Sequence, residues 1–428
     1  MSSELRKLWE HAGGQLPTDW RIAPLESFFR DAKGIAVGVM YPGPDTPGGT
    51  PLLKVGDIKN GVALRPTYCI SVATDEEHRR TKLVGDELLI TLVGNPGECV
   101  LVTPEMVGWN PARAIAVIRL QDTSLRTYLK AVLESTAGRH LIDAVLNTTV
   151  QKTLNLKDIR KLPIPLPTDS EVKWISGISE ALTNRITLLR ETNATLEAIA
   201  QALFKSWFVD FDPVRAKMQG RTPDGMDEAT AALFPDGLVE SELGLVPKGW
   251  CVGALQDLLL LQRGFDLPSD SRVPGDFPII AASGLSGTHH TQMAKAPGVI
   301  TGRSGILGRV FLELDDYWPL NTTLWVKEFR AATPCYAYEL LQLLDLKSFN
   351  AGSAVPTLNR NHVHSLPYLV PPRSCTSAYE SIAIQLHERA RLNQRQAQTL
   401  ATLRDTLLPR LISGQLRLPE AEVMLDNA

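Results

Sequence analysis

Residues 153–167 read TLNLKDIRKLPIPLP, and residues 357–371 read TLNRNHVHSLPYLVP. At a single offset of 204, Thr153, Leu154, Asn155, Leu162, Pro163 and Pro167 coincide with Thr357, Leu358, Asn359, Leu366, Pro367 and Pro371, and Ile159 faces Val363. The register runs on without a gap. Ile178 meets Ile382, Arg185 meets Arg389 and Leu188 meets Leu392; Thr195, Leu196, Ile199 and Leu203 then meet Thr399, Leu400, Leu403 and Leu407. One register held from 153 to 203 marks an internal duplication, the first thing to settle in a chain of this length. Upstream the likeness persists at drifting offsets, as expected when loops differ in length. LPTDW (16–20) resembles VPKGW (246–250), and LLITLVGNPGECVLV (88–102) resembles GVITGRSGILGRVFL (298–312), with Gly94 and Gly97 opposite Gly305 and Gly308. The chain is two half-repeats, each a mixed globular domain followed by a helix.

The helices carry their own pattern. Ile175, Leu182, Leu189, Leu196 and Leu203 form an unbroken seven-residue apolar series, with Ile178, Ile186, Ile199 and Trp207 beside it. Such spacing keeps one seam facing a partner helix. Asp169 or Ser170 suits the N-cap, with Glu171 in the first turn. The second series is Tyr379, Leu386, Asn393, Leu400 and Leu407; Asn393 interrupts the seam, where a buried polar group fixes register at some cost in stability. A stripe of ~34 residues is about 50 Å long, more than one globular domain covers, so the two helices are expected to pair with each other. The expected fold is α+β: two domains of mixed α/β content separated by two long helices that pair as an antiparallel coiled coil, with a pseudo-twofold internal repeat. The boundaries read 1–168 (first domain), 169–210 (first helix), 211–246 (acidic connector), 247–373 (second domain), 374–415 (second helix) and 416–428 (tail).

The 428 residues are 44% apolar and 21% charged, ordinary for a globular chain of about three domain lengths. With 44 basic against 47 acidic side chains, the net charge of −3 excludes a protein that coats nucleic acid by bulk charge, though not one with a local basic footprint. Residues 1–168 hold 20 basic and 18 acidic side chains (+2), 169–246 hold 7 and 13 (−6), and 247–373 hold 11 and 10 (+1). The connector, rich in Gly, Pro and acids, reads as a solvated linker. Cys69, Cys99, Cys251, Cys335 and Cys375 are scattered singly, without a CxxC pair, which fits a reducing compartment. The start lacks a signal-type apolar run, and no window nears the ~18 apolar residues of a membrane span, so the expectation is a cytoplasmic protein with no membrane partner.

Catalytic signatures are missing from the sequence. There is no GxGxxG after a strand, no GxxxxGK followed by Ser or Thr, no GxSxG and no HExxH. The Asn/Asp-Pro-Pro loop that would hold a flipped adenine is also missing. VGNPGE (93–98) and GRSGILG (302–308) lie between β-type runs and read as hairpin turns, because a phosphate loop opens a helix. His289-His290 and His362-x-His364 have no cysteine or acidic companions, so no metal is expected. Asn155 and Asn359 suit the N-caps of short helices LKDIRK and RNHVHS. The loops just upstream, NTTVQK (147–152) and AGSAVP (351–356), occupy equivalent positions with different chemistry, which lets two similar domains read two ligands.

With these motifs in hand, the sequence resembles the specificity subunits of type I DNA restriction–modification enzymes. The likeness rests on LPTDW and VPKGW opening each domain, TLNLKDIRKLPIPLP closing the first, LFKSWFVDFDPVRAK (203–217), GMDEATAALFPDGLVESELGLVPKGW (225–250) and LLPRLISGQLRL (407–418), which together span nearly the whole chain. The resemblance implies that each globular domain is a target recognition domain for one half of a bipartite, asymmetric double-stranded DNA site, and that the helices set the spacing and dock two modification (methyltransferase) subunits. Restriction (translocase/nuclease) subunits would join them. No cofactor is expected in this chain, since S-adenosylmethionine and ATP with Mg would sit on partner subunits.

Readout would then rest on cations at phosphates and on polar or guanidinium groups at base edges. The DNA-binding candidates in the first domain are Lys54, Lys59, Asn60, Arg79, Arg80, Lys82, Asn95, Arg113 and Lys152; in the second they are Arg263, Ser283, His289, His290, Arg303, Arg309, Asn321 and Arg360. Trp207, Phe208 and Phe211 are candidates for partner binding, and Trp20 and Trp250 read as core anchors. The near-neutral charge keeps a protein-binding adaptor in view as the rival reading. A self-contained modification enzyme is the third reading, and it would require this chain to bind S-adenosylmethionine alone.

Overall fold

The computed structural model describes residues 2–59, 61–147, 152–349 and 356–421, in two compact units: Met1–Leu188 with Gln396–Ala428, and Leu189–Arg395. In the first unit α1 (Ser2–His11) leads to β1 (Arg21–Pro24), β2 (Ile35–Val37), β3 (Thr50–Leu53), β4 (Cys69–Ile70), β5 (Leu88–Thr91), β6 (Cys99–Leu101), β7 (Asn110–Pro111) and β8 (Ile115–Ile118). Helices α2 (Arg126–Glu134) and α3 (Thr136–Ala144), short α4 (Leu156–Arg160), β9 (Pro163–Leu166) and long α5 (Asp169–Phe208) follow. The continuous apolar runs LLIT and IAVI are buried at every position, so β5 and β8 take the centre of a four-stranded sheet ordered β2-β8-β5-β6. VGNPGE joins β5 to β6 as the expected hairpin, with Gly94 and Gly97 both at positive φ.

The second unit repeats this plan. Its strands are β10 (Cys251–Ala254), β11 (Leu259–Arg263), β12 (Phe277–Ala281), β13 (Gly284–His289), β14 (Gly298–Gly302), β15 (Val310–Glu313), β16 (Trp318–Pro319) and β17 (Thr323–Phe329). Then come α6 (Pro334–Leu343), α7 (Arg360–His364), β18 (Pro367–Val370) and long α8 (Arg373–Ile412). The large sheets are ordered β2-β8-β5-β6 and β11-β17-β14-β15, the small ones β4-β3-β7 and β13-β12-β16, and β1 pairs with β9 as β10 does with β18. Each small sheet has one parallel pairing, at matching places, β3 with β7 and β12 with β16. Duplication read from fifty residues thus extends to three matched sheets in each unit, while the hairpins Ile58–Lys59/Val62–Ala63 and Leu238–Ser241/Gly244–Pro247 each occur in one unit alone.

Each unit has its own core. In the first, Trp9, Leu25, Tyr128, Ile142 and Ile164 pack with Val172 and Ile175 of α5 and Leu407, Leu411 and Ile412 of α8. The second gathers Phe204, Trp207, Phe208, Trp250, Tyr336, Leu340, Cys375 and Tyr379. Trp20 and Trp250 are buried in these cores. Within the second unit the two long helices run antiparallel: Asn193 bonds Asn393, while Ala200 further along α5 accepts from Tyr379, earlier on α8.

Three details differ from the sequence reading. The connector is not a solvated linker: Asp212–Met218 and Glu228–Ala232 are helical, Leu238–Ser241 pairs with Gly244–Pro247, and Val214, Phe234 and Val246 are buried in the second core. Its acidic average hid those apolar anchors. The cap of α5 is Thr168, one residue earlier than expected, whose N–H and hydroxyl both donate to the Glu171 carboxylate. Finally, Ile175, Leu182 and Leu189 are buried as the heptad predicts, but Leu196 and Leu203 are only half-buried and Ala200, Phe204 and Trp207 take over. A straight helix drifts by ~20° per heptad, so the buried stripe walks off a strict seven-residue series. Among the described residues no helix is long and apolar enough to cross a membrane.

Candidate functional site

The sheets fix which positions of the two units correspond. Val39 bridges Ala112 and Phe265 bridges Leu320, both in parallel sense. One residue before each bridge stands a glycine, Gly38 or Gly264, where a Cβ would lie 2.0 Å from the Pro111 carbonyl oxygen or 2.1 Å from that of Leu320. Only glycine permits that approach. At the hairpin, the N–H of Leu92 donates to Ala114 and its carbonyl accepts from Leu154; Arg303 makes the same pair of bonds with Thr322 and Leu358. The frame is therefore common, and the side chains on it can be compared place by place.

In the second unit four of the predicted residues converge. Arg263 ends β11, and its guanidinium donates to both oxygens of Asp266, at 2.9 and 3.1 Å. Asp266 also accepts the side-chain amide of Asn321, just before β17. Arg303, at the start of the β14–β15 hairpin, reaches the Asn321 carbonyl at 3.4 Å. Arg263, Arg303 and Arg360 line one cavity of about 510 Å³ with Thr357, Leu358 and Asn359 of the repeated motif. Asp266, which holds Arg263 and Asn321 in place, was not singled out from the sequence; its signal was only the three-residue spacing from Arg263. The other candidates lie apart: Arg309 donates to the Ser283 carbonyl and stacks over Phe311.

His289 is corrected. Only 4% exposed, it accepts the Val273 N–H at Nδ1 and packs its ring on Trp318, so it is part of the core; its neighbour His290 is exposed. His364 is structural too, accepting the Leu261 N–H at Nε2, and burial together with the nearby arginines Arg360 and Arg330 holds its pKa low. Among the described residues no His/Cys/Asp/Glu group is arranged to hold a metal.

At the corresponding places the first unit carries Val37 for Arg263, Met40 for Asp266, Leu92 for Arg303, Arg113 for Asn321 and Leu156 for Arg360. Its predicted residues are spread over several loops. The Lys54 ammonium lies 3.3 Å above the Tyr68 ring. Lys82 is paired with Asp75, which also accepts from Asn110; burial pushes the Asp75 carboxyl up, but these bonds outweigh it and hold it below the usual range. Arg79 pairs with Glu76, Arg80 donates to the Lys33 carbonyl, and Asn95 donates to Glu98. Lys59, Arg113 and Lys152 are exposed. Asn60 lies outside the described residues, as do residues 148–151 and 351–355 of the two divergent loops. Asn359 caps α7 through the Asn361 N–H, whereas Asn155 stands at the N-cap of α4 but spends its side chain on Asp158.

The partner-binding candidates are also corrected. Trp207, Phe208 and Phe211 are 6, 6 and 9% exposed and interlock with Trp250, Phe234, Tyr336 and Tyr379. Aromatic rings at this density close the second unit's core, so these three side chains are spent on packing within the unit.

Fold and site together describe an internal duplication, two copies of one mixed sheet frame bearing unlike side chains at matched positions, with two long helices in the chain. No protein-family profile matches the chain. It is 27% identical over 354 residues to the specificity subunit of the type I restriction enzyme HindI of Haemophilus influenzae, covering 68% of this chain and 74% of that one. The MjaIX specificity subunit of Methanocaldococcus jannaschii is 24% identical over 289 residues, 61% of this chain and 62% of the relative. The crystal structure of a type I restriction–modification S subunit from M. genitalium superposes with a TM-score of 0.60 at 17% identity, over 93% of this chain and 97% of that one, which is a likeness of fold. The chain is thus similar in sequence to type I restriction-enzyme specificity subunits over up to 68% of its length and shares the fold of a solved S subunit.

Proposed function

We propose that this chain is the sequence-recognition subunit of a type I restriction–modification complex and performs no bond-making step itself. Each unit reads one half of a bipartite duplex DNA site, and the paired helices set the spacing and dock the modification subunits. The observation that carries this reading is the common frame with unlike chemistry at matched places. A duplicated enzyme would keep the same side chains twice, whereas a reader of two different half-sites has to change them. In the second unit the contacts come from Arg263, Arg303, Asn321 and Arg360, with Ser283, His290 and Arg309 beside them. In the first unit they come from Lys59, Arg113 and Lys152, with Lys54, Arg79, Arg80, Lys82, Asn95 and Asn60 as the remaining candidates. Phosphate contacts give affinity and base-edge contacts give specificity. S-adenosylmethionine, ATP and Mg would act on the partner subunits.

The test is binding to a library of bipartite duplexes by the chain assembled with its modification subunits. One split sequence should be selected, and scrambling either half should abolish the preference. Binding that survives scrambling of both halves would overturn the proposal.

A further inference from the structure

From the matched positions we infer that the second unit reads G·C base pairs through the Arg263–Asp266–Asn321–Arg303 constellation, while the first unit, apolar at three of those four places and carrying Arg113 at the fourth, reads its half-site without that constellation. The inference rests on the DNA-recognition reading above and adds which unit takes which class of base. Arginine pairs in bidentate fashion with O6 and N7 of guanine, the commonest specific contact in the major groove. Such a contact requires a guanidinium held in a fixed direction, and Asp266 supplies the hold by accepting Arg263 on both carboxylate oxygens. Arg263 stays 48% exposed, so the arrangement aims the fork outward and does not bury it.

Asn321 supports the same assignment. A bidentate asparagine–adenine contact needs both the amide N–H and the amide oxygen. Here one of the two amide N–H groups is given to Asp266, which leaves the amide oxygen as an acceptor. An acceptor beside an arginine matches the two faces of one G·C pair, guanine O6 and N7 for the guanidinium and the cytosine amino group for the amide oxygen. In the first unit Val37, Met40 and Leu92 replace Arg263, Asp266 and Arg303, Arg113 stands in the place of Asn321, and Met40 is 41% exposed. Apolar groups in a groove favour the thymine methyl.

The experiment uses the chain assembled with its modification subunits and the same duplex library, comparing wild type with Arg263→Val, Arg303→Leu and Arg303→Lys. The first two install the first unit's residues. The expected result is that one half-site loses discrimination at one or two G·C pairs by about 5–150-fold while the other half is read as before. Arg303→Lys keeps the charge without the fork, so it should keep overall affinity and still lose discrimination at the same pair. An equal loss across all sequences would make these arginines phosphate contacts and overturn the inference, as would G·C discrimination left intact by all three variants. A wild-type complex that selects no sequence would instead overturn the DNA-recognition reading, and this inference with it.

Discussion

The polar interruption of the helix seam is the most direct test of how the long helices are held. Asn393 is only 3% exposed and donates from Nδ2 to Oδ1 of Asn193 at 2.9 Å; Asn193 in turn donates to the Ala390 carbonyl at 2.8 Å. Replacing Asn393 by leucine leaves the Asn193 oxygen against an apolar side chain. An unmet buried acceptor costs about 1–3 kcal/mol, and the added methyl groups return roughly 1, so Asn393→Leu should lose about 1–2 kcal/mol. Asn193→Leu strands the Asn393 amide and should cost a similar amount. The double variant removes donor and acceptor together and should lie within about 0.5 kcal/mol of wild type, because an apolar pair of similar shape needs no partners. Urea unfolding of the three variants, followed by circular dichroism, gives the double-mutant cycle. Hydrogen exchange should show the double variant less protected over residues 189–208, since the pair that specifies register is gone. Losses in the double variant that simply add would refute the reasoning, for the two side chains would then act independently.

Other outcomes follow from single contacts. Glu87, whose side chain is fully buried, accepts N–H groups of Val84, Gly85 and Asp86 and the Arg119 guanidinium at 3.1 Å; Glu87→Ala should cost about 3–5 kcal/mol and lower the calorimetric Tm by roughly 6–20 °C, and a fall under about 3 °C would sink this. Phe208→Ala should cost about 3–5 kcal/mol in urea titration; normal stability with a lost modification subunit would instead restore these aromatics as a docking face. Near His387, burial and the Glu197 charge push the Glu339 carboxyl up to about 7, while burial pulls His387 down to about 4, the two lying 3.8 Å apart with the Tyr338 ring against the imidazole. Glu339 therefore contributes stability that is lost as pH rises towards 7, and His387 contributes stability that is lost as pH falls from 6.5 towards 4. In melts between pH 4.5 and 7, His387→Gln should give stability falling with pH and Glu339→Gln stability rising with it; equal slopes would contradict both assignments.

The frame was legible because apolar periodicity and turn glycines are local properties. LLIT and IAVI announce central strands, the Gly94/Gly97 and Gly305/Gly308 pairs announce hairpins, and the repeated TLN motif announces two copies. What the sequence hid depends on three-dimensional company. Asn393 was visible as a break in the seam, but its partner Asn193 lies 200 residues away and outside the apolar series. His289 resembled a polar loop residue, and only the Trp318 ring shows that it is core. Trp207, Phe208 and Phe211 sit at a helix end, where a surface role and a core role share the same composition. The packing of Tyr336 and Tyr379 on Phe208 decides between them.

On the proposed function, a chain of net charge −3 carries readers of a polyanion. Several of its candidate cations are not free: Arg263 is held by Asp266, Lys82 by Asp75 and Arg79 by Glu76. On the proposed reading, each such group binds a base or phosphate by exchanging or sharing an internal carboxylate. An exposed internal pair such as Arg263–Asp266 or Arg79–Glu76 is worth about 0–1 kcal/mol, against about 1–3 for a bidentate contact to the right base, whereas Lys82 is held more firmly because its partner Asp75 is buried. Exchange at the correct base is therefore favourable, and exchange at an arbitrary phosphate is close to neutral. The carboxylates thus lower non-specific grip more than specific recognition, which is what a subunit needs if its partners supply most of the hold on the DNA backbone. Acidic neighbours beside the arginines are in that sense part of the discrimination, and the low net charge is the form it takes in the composition.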